Sequence, residues 1–318
     1  FSLCAAFLCY AGIALALRIH SLTLLAISTL LCGLSEANVI VAQSAITDIV
    51  PVNERTRFFG YVGISASLAF IVGPLLGGWL ADPKLVSWFN YDTPFWVTSI
   101  LIIGTLIWAA AVFKETIAKK VSHLTWKEAF TNLFTIFTSR KLRSLYLINF
   151  LIYFGIFGFF RCYPMYIVNA FHVNVTTLSM YIAWVSVPII IMNSGIIGFL
   201  SKRYPSLTLM KWSTLLTGIF MIFIIIPSHQ YALWLTLFLA GAAVTITFPA
   251  CTNMLSLAAS QEEQGRVMGN NQSLQVAAEA LSAIIGGLLA SIAINMSLLI
   301  LGLFACATAG ALFLYRRS

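Results

Sequence analysis

Three ionisable side chains sit in the middle of apolar runs, where their types allow chemistry and their surroundings make them expensive. Glu36 lies in GLSEANVIVAQ, Glu279 in SLQVAAEALS and Arg161 in FGFFRCYPMY. A charge at the centre of a lipid span costs about 2.5–3.5 kcal/mol and by default marks a pathway or a proton relay. Either carboxylate can carry a proton, and Arg161 can pair with one of them or attract an anionic group. The plainer reading is a structural ion pair. Amides flank the acids: Asn38 and Gln43 follow Glu36, and Gln272 and Gln275 precede Glu279. Asn193, Thr247 and Asn253 add polar groups within spans, and Trp184, Tyr153 and Tyr163 add stacking surfaces. Singly, each suits helix–helix hydrogen bonding. Together they suit a cavity for a moderately polar or amphipathic solute rather than a bare ion.

The elements that must position these groups are membrane helices. The chain is 60% hydrophobic and 9% charged, and a bilayer core takes about 20 apolar residues to span. Ten candidate spans run over 1–17, 22–48, 57–81, 94–113, 144–169, 176–199, 207–227, 231–256, 270–292 and 294–315. Continuous apolar runs of this length argue helices, which satisfy their own backbone in lipid. The expected fold is therefore an all-α integral membrane bundle with no sizeable soluble domain. The six cysteines all fall in apolar runs without metal-ligand spacing, so they read as packing residues. The four histidines fall at loops or span edges. No nucleotide-binding GxxxxGK[ST] loop is present, and no cofactor or metal is expected.

Charge sets the orientation. Of the 18 basic residues, 15 collect on one side of the ten spans, only Arg18 and Lys84 fall on the other, and Arg161 lies within a span. The positive-inside rule assigns the basic side to the cytoplasm. The net charge of +8 is thus a topology signal and not evidence for a nucleic-acid partner. The polar segment 114–143 then joins an N-terminal half, 1–113, to a C-terminal half, 144–318, on the cytoplasmic side, where the C-terminus also lies. Within it Thr125 and Glu128 form a capping box, and the apolar spacing that follows predicts a helix on the membrane surface.

The halves repeat. Glu54, Arg57, Gly60, Gly77 and Gly78 recur as Glu263, Arg266, Gly269, Gly286 and Gly287 at a constant offset of 209. Such parallel repeats are typical of large transporters. Asp48, Glu54, Arg55 and Arg57 in one half, with Lys202, Arg203, Glu263 and Arg266 in the other, form an expected cytoplasmic charge cluster. The loop GFLSKRYP from Gly198 has no first-half twin within the chain, because its counterpart falls at position −11. Two further spans are therefore expected upstream, giving twelve.

These motifs resemble those of the major facilitator superfamily along the whole chain. Gly60, Ala69, Gly73-Pro74 and Gly77-Gly78 are similar to the fifth-helix motif of its proton-coupled exporters, with Ala69 replacing one glycine. GFLSKRYP resembles the second copy of the superfamily's loop signature, with Lys202 in place of the usual acid. NERTRFFG and EEQGRVMG resemble loops of tetracycline and multidrug proton antiporters. One departure stands out: Thr29, four residues before Gly33, occupies the place of an arginine linked to proton coupling in the exporters. Ser65, Ala69, Gly73, Gly77 and Ala81 recur every four residues as a small-residue stripe on which another backbone can approach. Pro74 permits a kink, so this helix is expected to pivot or seal.

The resemblance implies a secondary transporter working by alternating access as a monomer in the cell membrane. Its partners would be a small solute, protons and the lipid bilayer, with efflux of an amphipathic compound coupled to Glu36 or Glu279. An importer of a nutrient or metal chelate is the alternative within the superfamily. A membrane-embedded lipid-modifying enzyme is the alternative outside it. Its clustered acids would be those of EEQGR, which the repeat with NERTR explains as structural, so no catalysis is expected.

Overall fold

The computed structural model describes residues 2–35, 49–50, 55–112, 136–139, 142–260 and 263–314. Among them every regular element is a helix: α1 Ser2–Arg18, α2 Leu22–Ser35, α3 Arg55–Leu80, α4 Thr93–Val112, α5 Arg143–Phe171, α6 Val175–Ile191, α7 Ile197–Arg203, α8 Ser206–Phe223, α9 Ala232–Ala258 and α10 Gln264–Leu314. Helices α6 and α7 form one span, joined by the π-helical turn Met192–Ile196. The long α10 is two spans that meet at Ala293, where φ −158° and ψ 95° break the helical path. Seven described helices are long and apolar enough to cross a bilayer, and three shorter apolar helices cover Ser2–Arg18, Leu22–Gly33 and Leu68–Leu80. Large apolar side chains such as Leu22, Ile100, Ile107 and Ile292 point outward. That is the surface of a chain whose solvent is lipid, since a soluble monomer rarely exposes continuous apolar area.

The chain forms two compact units: residues 1–122 with 175–180, and residues 123–174 with 181–318. In the first, α1 and α2 form an antiparallel hairpin closed by His20 in the left-handed region, φ 54°. The Ser21 hydroxyl accepts the Leu24 N–H at 3.3 Å and starts α2. Arg18 Nη1 donates to Asp92 Oδ2 at 3.4 Å, tying the end of α1 to the start of α4. Asp82, just past α3, accepts the Thr176 hydroxyl at 2.5 Å. That bond, and the weaker one from the Lys84 N–H, hold the Asp82 carboxyl below its usual range.

The hairpin corrects the reading of the cysteines. Cys9 and Cys32 form a disulfide with Cα atoms 5.3 Å apart. Cys9 lies nine residues before Arg18 and Cys32 ten after Leu22, so a tight turn brings them to matching depth. The other four cysteines are free.

In the second unit α10 is the hub. It packs along α5 and against α8, and α8 packs in turn on α9. Helices α8 and α10 approach each other through glycine. A Cβ on Gly218 of α8 would stand 2.8 Å from the Cys306 nitrogen and 2.8 Å from the Gly302 carbonyl oxygen, while one on Gly302 would stand 3.1 Å from the Gly218 carbonyl oxygen. The stripe expected on α3 behaves otherwise. Gly73 and Gly77 have open space where a Cβ would go, and the crowded glycine is their neighbour Gly78, against Ser179. Of the expected pivot or seal at Gly60, Ala69, Gly73, Pro74, Gly77 and Gly78, close packing is thus seen at Gly78 and not at Gly73 or Gly77; the surroundings of Gly60 lie outside the description.

Replacing Gly218 with Val forces a branched side chain against backbone, which costs about 1–3 kcal/mol in a packed core. Thermal unfolding in detergent is expected to show a clear drop in Tm for Gly218→Val and almost none for Gly73→Ala.

Candidate transport site

Helices α5 and α10 run side by side, and their seam collects the polar groups of the second unit. Nearest the starts of both helices, Tyr146 hydrogen-bonds Asn270. One turn deeper, Asn149 Nδ2 donates to the Cys251 carbonyl oxygen at 3.2 Å and to Asn271 Oδ1 at 3.3 Å. Asn271 Nδ2 donates to the Tyr153 hydroxyl oxygen at 3.2 Å, and the Tyr153 ring stacks on Phe248, centroids 5.3 Å apart. Asn149 is fully buried, yet its Oδ1 has no hydrogen-bond partner. Buried amides in a low-dielectric seam fix which faces of two helices meet, because an unpaired polar group costs about 1–3 kcal/mol.

Further along the seam, Arg161 Nη2 donates to Glu279 Oε1 at 3.0 Å. Arg161 is 18 residues into α5, about 27 Å from its start at 1.5 Å per residue. Its side chain is 55% exposed and that of Glu279 42%, so the pair is closed on one flank and open on the other. Gln272, Gln275 and Glu279 recur at intervals of three and four on α10, which places them on one helix face. No side-chain hydrogen bond engages either glutamine among the described residues.

The remaining sequence candidates separate clearly. Trp184 is committed to packing: its indole N–H donates to the Trp234 carbonyl at 2.7 Å, and its ring meets Trp234 edge-on at 5.3 Å. Asn193 donates to the Ile189 carbonyl beside the π turn, Asn253 to the Ser206 hydroxyl, and Thr247 to the Ala243 carbonyl. Tyr163 is buried against Phe159. Thr29, in the place of the exporters' arginine, directs its hydroxyl back onto the Leu25 and Ala26 carbonyls of its own helix. Of the charge cluster, Glu263 pairs with Arg266 one turn on and accepts the Ser260 hydroxyl. Lys202 and Arg203 close α7, where cations favour the helix C-terminus. Arg55, Arg57 and Gly60 lie in the first turns of α3. Glu36, Asn38, Gln43, Asp48 and Glu54 lie outside the described residues, as do Thr125 and Glu128.

Asn149 and Asn271 escape the sequence reading. Their signal is present, since Asn149 lies six residues past Arg143 and Asn271 five past Arg266, but matching depth does not reveal which faces meet.

The sequence profile described as the Major Facilitator Superfamily matches residues 1–208 and, in a second match, 145–318. The chain belongs to the major facilitator superfamily. It is 24% identical over 280 residues to the quinolone resistance protein NorA of Staphylococcus aureus strain COL, which covers 85% of this chain and 68% of that protein. It is 24% identical over 284 residues to multidrug resistance protein 2 of Bacillus subtilis strain 168, covering 86% and 68%. The crystal structure of the human organic anion transporter MFSD10 superposes with a TM-score of 0.67 at 18% identity, covering 98% of this chain and 75% of that one. This facilitator is a multi-pass membrane protein and a transporter, not an enzyme.

Asn271→Ala leaves Asn149 Nδ2 and the Tyr153 hydroxyl short of a partner at the buried end of the seam. The expected cost is about 1–3 kcal/mol, read as a lowered Tm, whereas Asn193→Ala, on an exposed turn, is expected to stay within about 0.5 kcal/mol.

Proposed function

We propose that this facilitator exports an amphipathic solute in exchange for protons, with Glu279 as a proton-carrying group and Arg161 as its competitor. The observation that carries the reading is the half-open Arg161–Glu279 pair inside two membrane spans. A charged pair with an open flank does not face hydrocarbon, so the flank faces protein or a water-filled route. A proton and the Arg161 guanidinium compete for the same carboxylate. The polar end of the solute competes for it too, so solute binding at Glu279 expels the proton and protonation of Glu279 expels the solute. With neither bound, Arg161 holds the carboxylate. Gln272 and Gln275, on the same face of α10, are positioned to hydrogen-bond the solute's polar end. Thr29 supplies no guanidinium in the first half, so Arg161 takes the cationic role from the second. Glu36 is the second candidate proton carrier, with Asn38 and Gln43 beside it in sequence. The names of the two bacterial relatives, for quinolone and multidrug resistance, support outward movement of amphipathic compounds.

In this reading the halves 1–113 and 144–318, joined by the cytoplasmic linker 114–143, alternate between two access states. The protein acts as a monomer in the cell membrane, with the C-terminus also cytoplasmic. The repeat of Glu54 and Arg57 as Glu263 and Arg266, with Asp48 near the first pair in sequence, supports a charge cluster that holds one of those states.

The test uses the protein in inside-out vesicles with an imposed pH gradient and a panel of amphipathic cations and anions. Substrate-dependent proton release is expected, and Glu279→Gln is expected to weaken the solute–proton coupling by about 5- to 150-fold. Glu36→Gln run alongside ranks the two carboxylates. Absence of release, with solute uptake into right-side-out vesicles, would instead establish the importer reading.

A further inference from the structure

A cavity of about 560 Å³ lies between the first turns of α5 and the middle of the first span of α10. Phe137, Leu147 and Phe150 form one wall and Leu274, Ala277 and Leu281 the other, and Arg143 and Ser144 line it where α5 begins. Successive residues of a helix advance by about 100°. Leu274, Ala277 and Leu281 therefore lie on the face of α10 roughly opposite Gln272, Gln275 and Glu279, so the cavity is separate from the candidate transport site. Its size is that of a small-molecule pocket, about 300–1,000 Å³, but its walls offer almost nothing polar. An apolar cavity stays dry and takes apolar groups, and in a bilayer the apolar group at hand is an acyl chain.

The polar end decides which lipid. Arg143 is exposed and, among the described residues, has no ion-pair partner. It stands at the end of α5 that the charge bias assigns to the cytoplasm, the leaflet where anionic lipids collect, and the Ser144 hydroxyl stands beside it. Basic pockets between membrane helices on that side bind anionic headgroups. The geometry points to a bound anionic phospholipid: its phosphate on Arg143 and Ser144, one acyl chain along the groove, bridging the α5–α10 seam from outside.

The test is retention of defined lipids by the purified full chain in neutral detergent, read by native mass spectrometry and thermal unfolding. Phosphatidylglycerol and phosphatidylcholine of identical acyl chains are the probes. Phosphatidylglycerol is expected to stay bound and to raise Tm, and phosphatidylcholine to do neither. Arg143→Gln is expected to weaken phosphatidylglycerol retention about fivefold, the effect of one basic residue. Ala277→Phe, which fills the groove from α10, is expected to abolish it. If Ala277→Phe does not fold, Arg143→Gln and Ser144→Ala, both on the exposed first turn of α5, carry the test. Equal retention of the two lipids, or phosphatidylglycerol retention unchanged in the folded variants, would overturn the site. So would cross-linking of Leu147→Cys to segment 113–135 with no lipid retained, since the linker would then fill the groove.

Discussion

A polar side chain inside a bilayer has no water to fall back on, and the second half of this transporter is organised around that constraint. The α5–α10 seam answers it in steps. Tyr146 meets Asn270, Asn149 and Tyr153 meet Asn271, and Arg161 meets Glu279. Each pairing fixes the rotation of both helices, because turning either by one residue would send a buried amide into apolar surroundings. The glycine crossing of Gly218 with Gly302 then brings α8 onto the second span of α10 at backbone distance. With the seam and the crossing in place, α10 is held along most of its 51 residues.

The proposed function rests on the one step of the seam that is left unfinished. The amide and tyrosine steps are buried, as structural polar groups in lipid must be. The Arg161–Glu279 step keeps an open flank, and a charge pair with an open flank can exchange partners. In the proposed exchange, proton and solute take turns on the Glu279 carboxylate, and Arg161 holds it between turns. The opposite face of α10 carries the apolar groove with Arg143 at its mouth. On the two proposals together, one helix faces a polar route on one side and a lipid on the other, and a lipid seated there would brace the seam on which the ion pair depends.

Much of this was legible in the residues. Continuous apolar runs marked the spans, and the charges and turn residues between them marked the ends. The intramembrane charges stood out because each is costly, although Arg161 had two carboxylates to choose from and only the folded helices show it with Glu279. What the sequence left hidden depends on pairs of helices meeting face to face. Cys9 and Cys32, Asn149 and Asn271, and Gly218 and Gly302 are each at matching depth, but depth along a helix carries no record of its rotation. The regular small-residue stripe on α3 drew attention to Gly73 and Gly77, whereas the close approach is at Gly78. Trp184 looked available for stacking on a solute, and the structure commits its indole N–H to Trp234.

The central claim is that solute and proton meet at the Glu279 carboxyl. Infrared difference spectroscopy of the reconstituted protein, recorded as an amphipathic substrate is added, observes that group directly. The account predicts loss of a protonated carboxyl band on substrate addition and its absence in Glu279→Gln. An unchanged band in Glu279→Gln would contradict it and move the proton to another carboxylate.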